Sequence, residues 1–293
     1  MKIAYLILAH TNPIQLKRLV KRLHSANTWV FIHLDRKTPY TAGFSDIPKE
    51  IPNTSFIRQR IEIHWGGYGI VRAALNALQE IVSTGIGFDY IHLMSGSDYP
   101  IKDKTYICNF FMMNYGHEFI HYRPLPIEEF NEGRMDRVWY YYDYDNIHST
   151  FGSPGSCAYE SEMRQREMKR CFIQGMNPFH GSSWWCLTGK CIGHLLNVVN
   201  QNKEIANFFR YTKFPDEQFF QTMVMNSPFA QNAFNENLWY LDWSKVNALH
   251  PKTLDRSDFP VLKSTPALYA RKLDEHTNPQ LLDMIDRQFL KVK

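Results

Sequence analysis

The sequence predicts an α/β fold, a mostly parallel central sheet flanked by helices. Two observations carry this. Along the first 125 residues, apolar runs of strand length alternate with segments whose apolar positions recur at helical spacing. The first of those runs is apolar throughout, the pattern of a strand buried on both faces.

The elements follow in order. Lys2–Ala9 reads as a buried strand. His10-Thr11-Asn12-Pro13 is a strand-to-helix turn, with Asn12 as cap and Pro13 in the first helical position, where its missing N–H is no loss. Leu16, Leu19, Val20 and Leu23 place a helix next, and Trp29–Leu34 closes a β-α-β unit. After a Pro-containing connector, Trp65-Gly66-Gly67-Tyr68-Gly69 leads into a helix with Val71, Ala74, Leu75, Leu78, Ile81 and Val82 on one side. Tyr90–Met94 is a strand that runs into Ser95-Gly96-Ser97-Asp98-Tyr99-Pro100, where Gly and Pro force a loop. Periodicity fades from Arg123 to about Gln174. A mobile loop with a Gly/Ser/Pro-rich stretch at 152–156 and one surface helix over the charged run 160–170 are expected there. Order returns with a strand at Ser182–Thr188, helices around Ile192–Asn200 and Pro215–Asn226, a strand at Leu238–Asp242 and a closing helix at Pro279–Leu290. No repeat or composition break divides the chain, so residues 1–293 are read as a single domain.

Composition narrows the function classes. Hydrophobic residues at 44% and charged ones at 21% exclude a disordered or collagen-like chain. The apolar stretch Ile3–Ala9 is far short of the roughly 20 residues a membrane span needs, and no leader with a cleavage site follows, so a cytosolic protein is expected. Thirty-three basic against 29 acidic residues leave +4, spread along the chain, which does not indicate a nucleic-acid surface. Five cysteines without a C-x-x-C pair argue against a disulfide framework or a zinc cluster. Aromatics at 15% supply the core and also flat surfaces on which sugars and bases stack.

Several motifs bear on chemistry. His117-Glu118-Phe119-Ile120-His121 fits H-E-x-x-H, which binds zinc only on a helix. Its aromatic and β-branched content and the prolines at 124 and 126 make it a strand, which sets the histidines about 13 Å apart. Gly67-x-Gly69 lacks the third glycine of a dinucleotide fingerprint, and reads as a tight turn, either structural or admitting a ligand beside Trp65. Asp35, Trp65 and Asp98 fall at carboxyl strand ends, the edge at which such sheets bind ligands. Asp143-x-Asp145 and His33-x-Asp35 are weak candidates for metal-coordinating pairs. Pro215-Asp216-Glu217 opens a helix, where a carboxylate is either a cap or a general base. Arg271-Lys272, two cations in an apolar segment, could both grip a diphosphate at a bend.

Taken together, Phe31-Ile32-His33-Leu34-Asp35, Trp65-Gly66-Gly67, Ser95-Gly96-Ser97-Asp98-Tyr99-Pro100-Ile101-Lys102, Ser183-Trp184-Trp185, Pro215-Asp216-Glu217-Gln218-Phe219-Phe220, Asn237-Leu238-Trp239-Tyr240-Leu241-Asp242-Trp243 and Ala270-Arg271-Lys272 resemble glycosyltransferase family 14. That family holds the core-2 and I-branching β-1,6-N-acetylglucosaminyltransferases and the peptide O-xylosyltransferases. The motifs occur in family order from about residue 3 to 290, and a bacterial member is expected.

The resemblance implies a GT-A-type fold with a nucleotide-binding half over about 1–125 and an acceptor and catalytic half over about 126–293. It implies an inverting transfer from a UDP-sugar, N-acetylglucosamine by preference, with no cofactor and no divalent metal. Glu217 matches the catalytic base. Asp35, Trp65, Gly66, Asp98, Arg271 and Lys272 fall on the donor side, with the two cations at the diphosphate. Trp243, Trp184 and Trp185 are assigned to the acceptor. Ser183 stands where xylosyltransferases carry Asp, which argues against xylose as the donor sugar. The cysteines and the membrane anchor of the animal enzymes are expected to be absent. The implied partners are a UDP-sugar and a glycan or lipid-linked oligosaccharide, in the cytoplasm, with peripheral association at the inner face of the bacterial membrane left open. Two other classes stay in view: a catalytically silent glycan-binding protein, and a glycoside hydrolase using Asp98 and Glu217 as its carboxylate pair.

Overall fold

A computed structural model describes residues 1–145, 169–244 and 250–291. The Gly/Ser/Pro-rich stretch at 152–156 and most of the charged run at 160–170 lie outside the described residues. The strands are β1 (Ile3–Ala9), β2 (Thr28–Leu34), β3 (Thr54–Phe56), β4 (Tyr90–Ser95), β5 (Tyr99–Pro100), β6 (Glu118–Pro124), β7 (Phe179–Thr188), β8 (Ala233–Phe234), β9 (Trp239–Leu241) and β10 (Tyr269–Arg271). The main helices are α1 (Pro13–Leu23), α2 (Gly69–Ser83), α3 (Lys104–Met113), α4 (Gly189–Gln201), α5 (Lys203–Arg210), α6 (Phe219–Met225) and α7 (Pro279–Gln288).

The α/β class and the mostly parallel sheet hold. Seven strands run in the order β3-β2-β1-β4-β7-β6-β8. The β3, β2, β1 and β4 strands are mutually parallel, β7 is antiparallel to β4 and to β6, and β8 is parallel to β6. The uninterrupted apolarity of β1 is explained by its place between β2 and β4, where every residue is buried. Asn12 caps α1 as expected, accepting from the Gln15 N–H, and Leu16, Leu19, Val20 and Leu23 are its buried stripe.

Two features place the site. The last pair between β4 and β7 is Leu93 with Trp185, so Ser182, Ser183 and Trp184 stand at the carboxyl edge of β1, β2 and β4. A second sheet, β5-β10-β9, stands at the same edge, because β5 follows β4 by only three residues. It carries Arg271 to the end of β4 and Trp239 beside it.

The expected single helix over Pro215–Asn226 is two pieces. Pro215–Glu217 form a 3-10 turn, Gln218 leaves helical geometry at φ −138°, and α6 begins at Phe219. The Gln218 side chain explains the break, since its amide donates to the carbonyls of Lys213 and Phe214 and pins the incoming chain. The H-E-x-x-H segment is a strand as its composition indicates. Glu118 points inward, accepts from Thr188 N–H and Oγ1, and is pushed up to about 7 by burial.

Candidate active site

Pro215–Glu217 present their acids at the carboxyl edge of the sheet, and the two acids go to different places. Asp216 is partly buried, and the Ser183 hydroxyl donates to it at 2.6 Å. Burial and the neighbouring Glu217 push its carboxyl up to about 6. Glu217 is half-buried, and Arg137 Nη1 donates to its Oε2 at 2.5 Å. His180 Nδ1 lies 3.9 Å from the same oxygen. Among the described residues, Oε1 accepts no hydrogen bond and joins no ion pair. One oxygen is thus held by a cation while the other is uncommitted.

Phe214 fixes this turn from the other side. Its left-handed backbone, φ 50°, reverses the chain, its N–H donates to the Gly66 carbonyl at 3.0 Å, and the Arg137 guanidinium lies 4.9 Å above its ring. The Trp65 ring meets the same phenyl edge-on at 4.7 Å. Gly66 is needed here: it sits at φ 79°, and a Cβ would come within 3.1 Å of Phe214. The next glycines serve packing. A Cβ on Gly67 would meet Asp145 Oδ1 at 2.5 Å, and one on Gly69 the Glu62 carbonyl at 2.7 Å.

The second cluster sits at the end of β4. Asp98 is fully buried and accepts from Ser95 N–H at 2.8 Å, Trp239 Nε1 at 3.1 Å and Arg271 Nη1 at 2.8 Å. Burial raises its carboxyl, against the opposing pull of Arg271 and the N–H donors. Arg271 also donates to Ser95 Oγ and lies 4.7 Å over the Trp184 ring. Lys272, half-buried, has its ammonium lowered by burial and by Arg271, and makes no ion pair among the described residues.

Not every residue assigned from the sequence meets its role. Trp185 is fully buried against Phe220, with ring centroids 4.9 Å apart, so it is a core residue that no acceptor reaches. Trp184 is covered by Arg271 and is a floor for that cation instead of an open acceptor platform. Trp243 is 56% exposed just past β9, free to meet a ligand. Trp65 is not at a strand end. It lies in the loop entering α2, half exposed. Asp35 does follow β2, but its carboxylate accepts from the Lys37 and Ile63 N–H groups and thereby ties down the connector. Arg271 is committed to Asp98, which leaves Lys272 as the cation of that pair able to meet an anion. Asp145, of the Asp143-x-Asp145 pair, accepts from Gly69 N–H. Among the described residues, no group of three or more His, Cys, Asp or Glu is placed to hold a metal ion.

Sequence reasoning missed Arg137, His180 and the Ser183–Asp216 bond. Arg137 sits where periodicity fades, and the pairing spans 80 residues, so no local signal reports it.

A carboxylate at the head of a broken helix, at the same carboxyl sheet edge as Asp98, Arg271 and Lys272, makes this an α/β protein with ionisable side chains gathered at its sheet edge. More particularly, the chain belongs to the Core-2/I-branching enzyme family, whose profile matches residues 3–263. It is similar to xylosyltransferase 2 of Canis lupus familiaris, 24% identical over 97% of this chain and 33% of that protein. It is also similar to a xylosyltransferase of Ciona intestinalis, 22% identical over 97% of this chain and 34% of that protein. The chain thus spans about a third of the length of the curated relatives it matches. Among solved structures, a crystal structure of S. aureus TarS covers 41% of this chain at 16% identity and a TM-score of 0.31, too low to bear on the fold. No helix among the described residues is long and apolar enough to cross a membrane.

Proposed function

We propose that the chain is a single GT-A-type catalytic domain that moves a sugar, N-acetylglucosamine, from a UDP-sugar to a glycan hydroxyl with inversion and without a divalent metal. The observation that carries this is Glu217: half-buried, with Oε2 gripped by Arg137 and Oε1 without a hydrogen bond among the described residues, at the sheet edge in a chain of this family. An acceptor hydroxyl hydrogen-bonded to Oε1 would be stripped of its proton as its oxygen attacks the anomeric carbon from the face opposite the departing UDP. The bond to the β-phosphate oxygen breaks in the same step, and the charge it leaves needs a cation. Lys272, half-buried and next to Arg271 in the chain, supplies it.

Asp98 supports the metal-free reading. Its carboxylate already accepts three hydrogen bonds, one of them within an ion pair, and it is closed to solvent. A hard cation wants several free oxygens. The same burial argues against a hydrolase with Asp98 and Glu217 flanking one bond. Similarity to xylosyltransferases favours a xylose donor as the second reading. Against it, Ser183, which stands where those enzymes carry Asp, is tied to Asp216 here. Competition between UDP-N-acetylglucosamine and UDP-xylose for turnover decides between the two. The acceptor in this reading is a glycan or lipid-linked oligosaccharide in a bacterial cytoplasm, met at the inner membrane face.

Glu217→Gln keeps the shape and loses the base. Turnover should fall about 100 to 10,000-fold while UDP affinity, measured by calorimetry, stays within a factor of about three. Retention of more than a tenth of wild-type turnover would remove Glu217 from the role.

A further inference from the structure

Beside Glu217 stands an arginine that the mechanism does not use. Arg134 lies over the Phe130 ring, its guanidinium carbon 3.8 Å from the centroid, and its Nε is shielded from solvent without a hydrogen-bond partner. It forms no ion pair among the described residues. The acids around it are engaged elsewhere. Glu217 holds Arg137, both oxygens of Glu129 accept from Arg123, and Asp216 accepts from Ser183. Asp136 is near enough for its charge to reach Arg134, but no hydrogen bond or ion pair joins them.

The backbone that presents Arg134 is strained. Glu132, Gly133 and Arg134 take φ values of 50°, 60° and 60°, three consecutive left-handed residues, two of which carry side chains. The turn is locked by the Ile127 N–H on the Gly133 carbonyl at 2.9 Å, and a Cβ on Gly133 would meet Pro126 at 2.4 Å. Burial and Arg137 lower the guanidinium to about 10, still a cation at neutral pH. His180 behind it is kept neutral by burial and by the surrounding arginines. Charges of both signs reach Arg134, but among the described residues its guanidinium has no hydrogen-bond or ion-pair partner of its own.

We propose that Arg134 is a specificity-determining residue that reads an anionic group on the acceptor, a carboxylate or a phosphate, so that the acceptor is an acidic glycan. A planar guanidinium suits either group, with two parallel N–H donors. This rests on the transferase reading above and names the acceptor class for it.

The test is calorimetry on the full chain saturated with UDP, titrated separately with methyl β-glucuronide, glucose 6-phosphate and methyl β-glucoside. The wild type should bind at least one anionic sugar about tenfold or more tightly than the neutral glucoside, and which one it prefers separates carboxylate from phosphate. Arg134→Gln should erase that preference and Arg134→Lys should keep part of it, which sets charge recognition apart from loss of fold. Equal binding of all three sugars, binding of none, or an undiminished preference in Arg134→Gln overturns the proposal. If UDP itself fails to bind, the transferase reading falls and this one with it. If UDP binds and no anion preference appears, only the acceptor assignment is lost.

Discussion

The guanidinium of Arg271 and the ammonium of Lys272, adjacent in sequence, answer to different neighbours. Arg271 Nη1 donates to both Asp98 and Ser95, its face rests on Trp184, and its side chain is 15% exposed. Removing it strands a fully buried carboxylate, which in other proteins costs about 3–5 kcal/mol. For a chain of this size, Arg271→Met should therefore lower Tm by roughly 5–8 °C, whatever it does to catalysis. A double replacement of both cations would confound unfolding with lost donor binding. Lys272→Met is the clean probe of the diphosphate, and it should leave Tm nearly unchanged. A scanning calorimetry trace in which Arg271→Met melts with the wild type would show that Asp98 does not depend on it. The hydrogen bond from Trp239 reaches the same carboxylate across 141 residues, which is why the sequence offered Asp98 as a free edge residue and could not report its burial.

The elements that hold this edge are fastened by a second charged cluster. Helix α7 carries Asp286, buried, onto α1. Arg18 and Arg22 each donate to its carboxylate, as does the Tyr99 hydroxyl of β5 at 2.8 Å. Burial alone would raise this carboxyl, but the hydrogen bonds from Arg22, Tyr99 and Arg18 outweigh it and hold Asp286 below the ordinary carboxylate range. A depressed folded-state pKa contributes stability that is present above the unfolded value, about 3.9, and lost as pH falls through the folded value. The clamp should accordingly be intact at pH 6 and weaken below about pH 4. Asp286→Asn should destabilise at pH 7, by about 1–3 kcal/mol, and that difference should shrink on acidification. Urea unfolding of both proteins at pH 7 and pH 3.5 measures this, and a gap that widened at low pH would contradict the linkage. The closing helix was legible from its apolar period. Its fastening was not, because Asp286 looks like any solvated acid on an amphipathic helix until Tyr99 and two arginines close over it.

At the scale of the molecule, the strand-and-helix alternation was legible because buried parallel strands and amphipathic helices write strong local periods, and both β1 and α2 fall close to where those periods place them. Helices α3 and α5 went unread. The first is apolar on most sides, the second is only eight residues long, and only their caps, Asp103 and Asn202, announce them. Of the candidate site, the position of Glu217 was readable from a proline-led acidic turn, whereas its partner Arg137 and the covering of Trp184 and Trp185 depend on contacts between distant segments. The arrangement that results puts Glu217, a half-buried Lys272 and a closed Asp98 along one sheet edge, and it makes a prediction about the whole chain. If charge on the departing UDP is met by Lys272 and not by a metal, UDP must bind as well in EDTA as in manganese. At 100 times its dissociation constant it should stabilise the fold by about 2.7 kcal/mol in either buffer. Lys272→Met should weaken UDP binding by roughly 10 to 150-fold, the loss of one charge-assisted hydrogen bond, and slow turnover further because the charge grows in the transition state. Calorimetric titration of wild type and Lys272→Met in EDTA and in manganese reads all four values. Binding by the wild type only when manganese is present, with Lys272→Met indistinguishable from it, would assign the leaving-group charge to a metal and displace Lys272 from the mechanism.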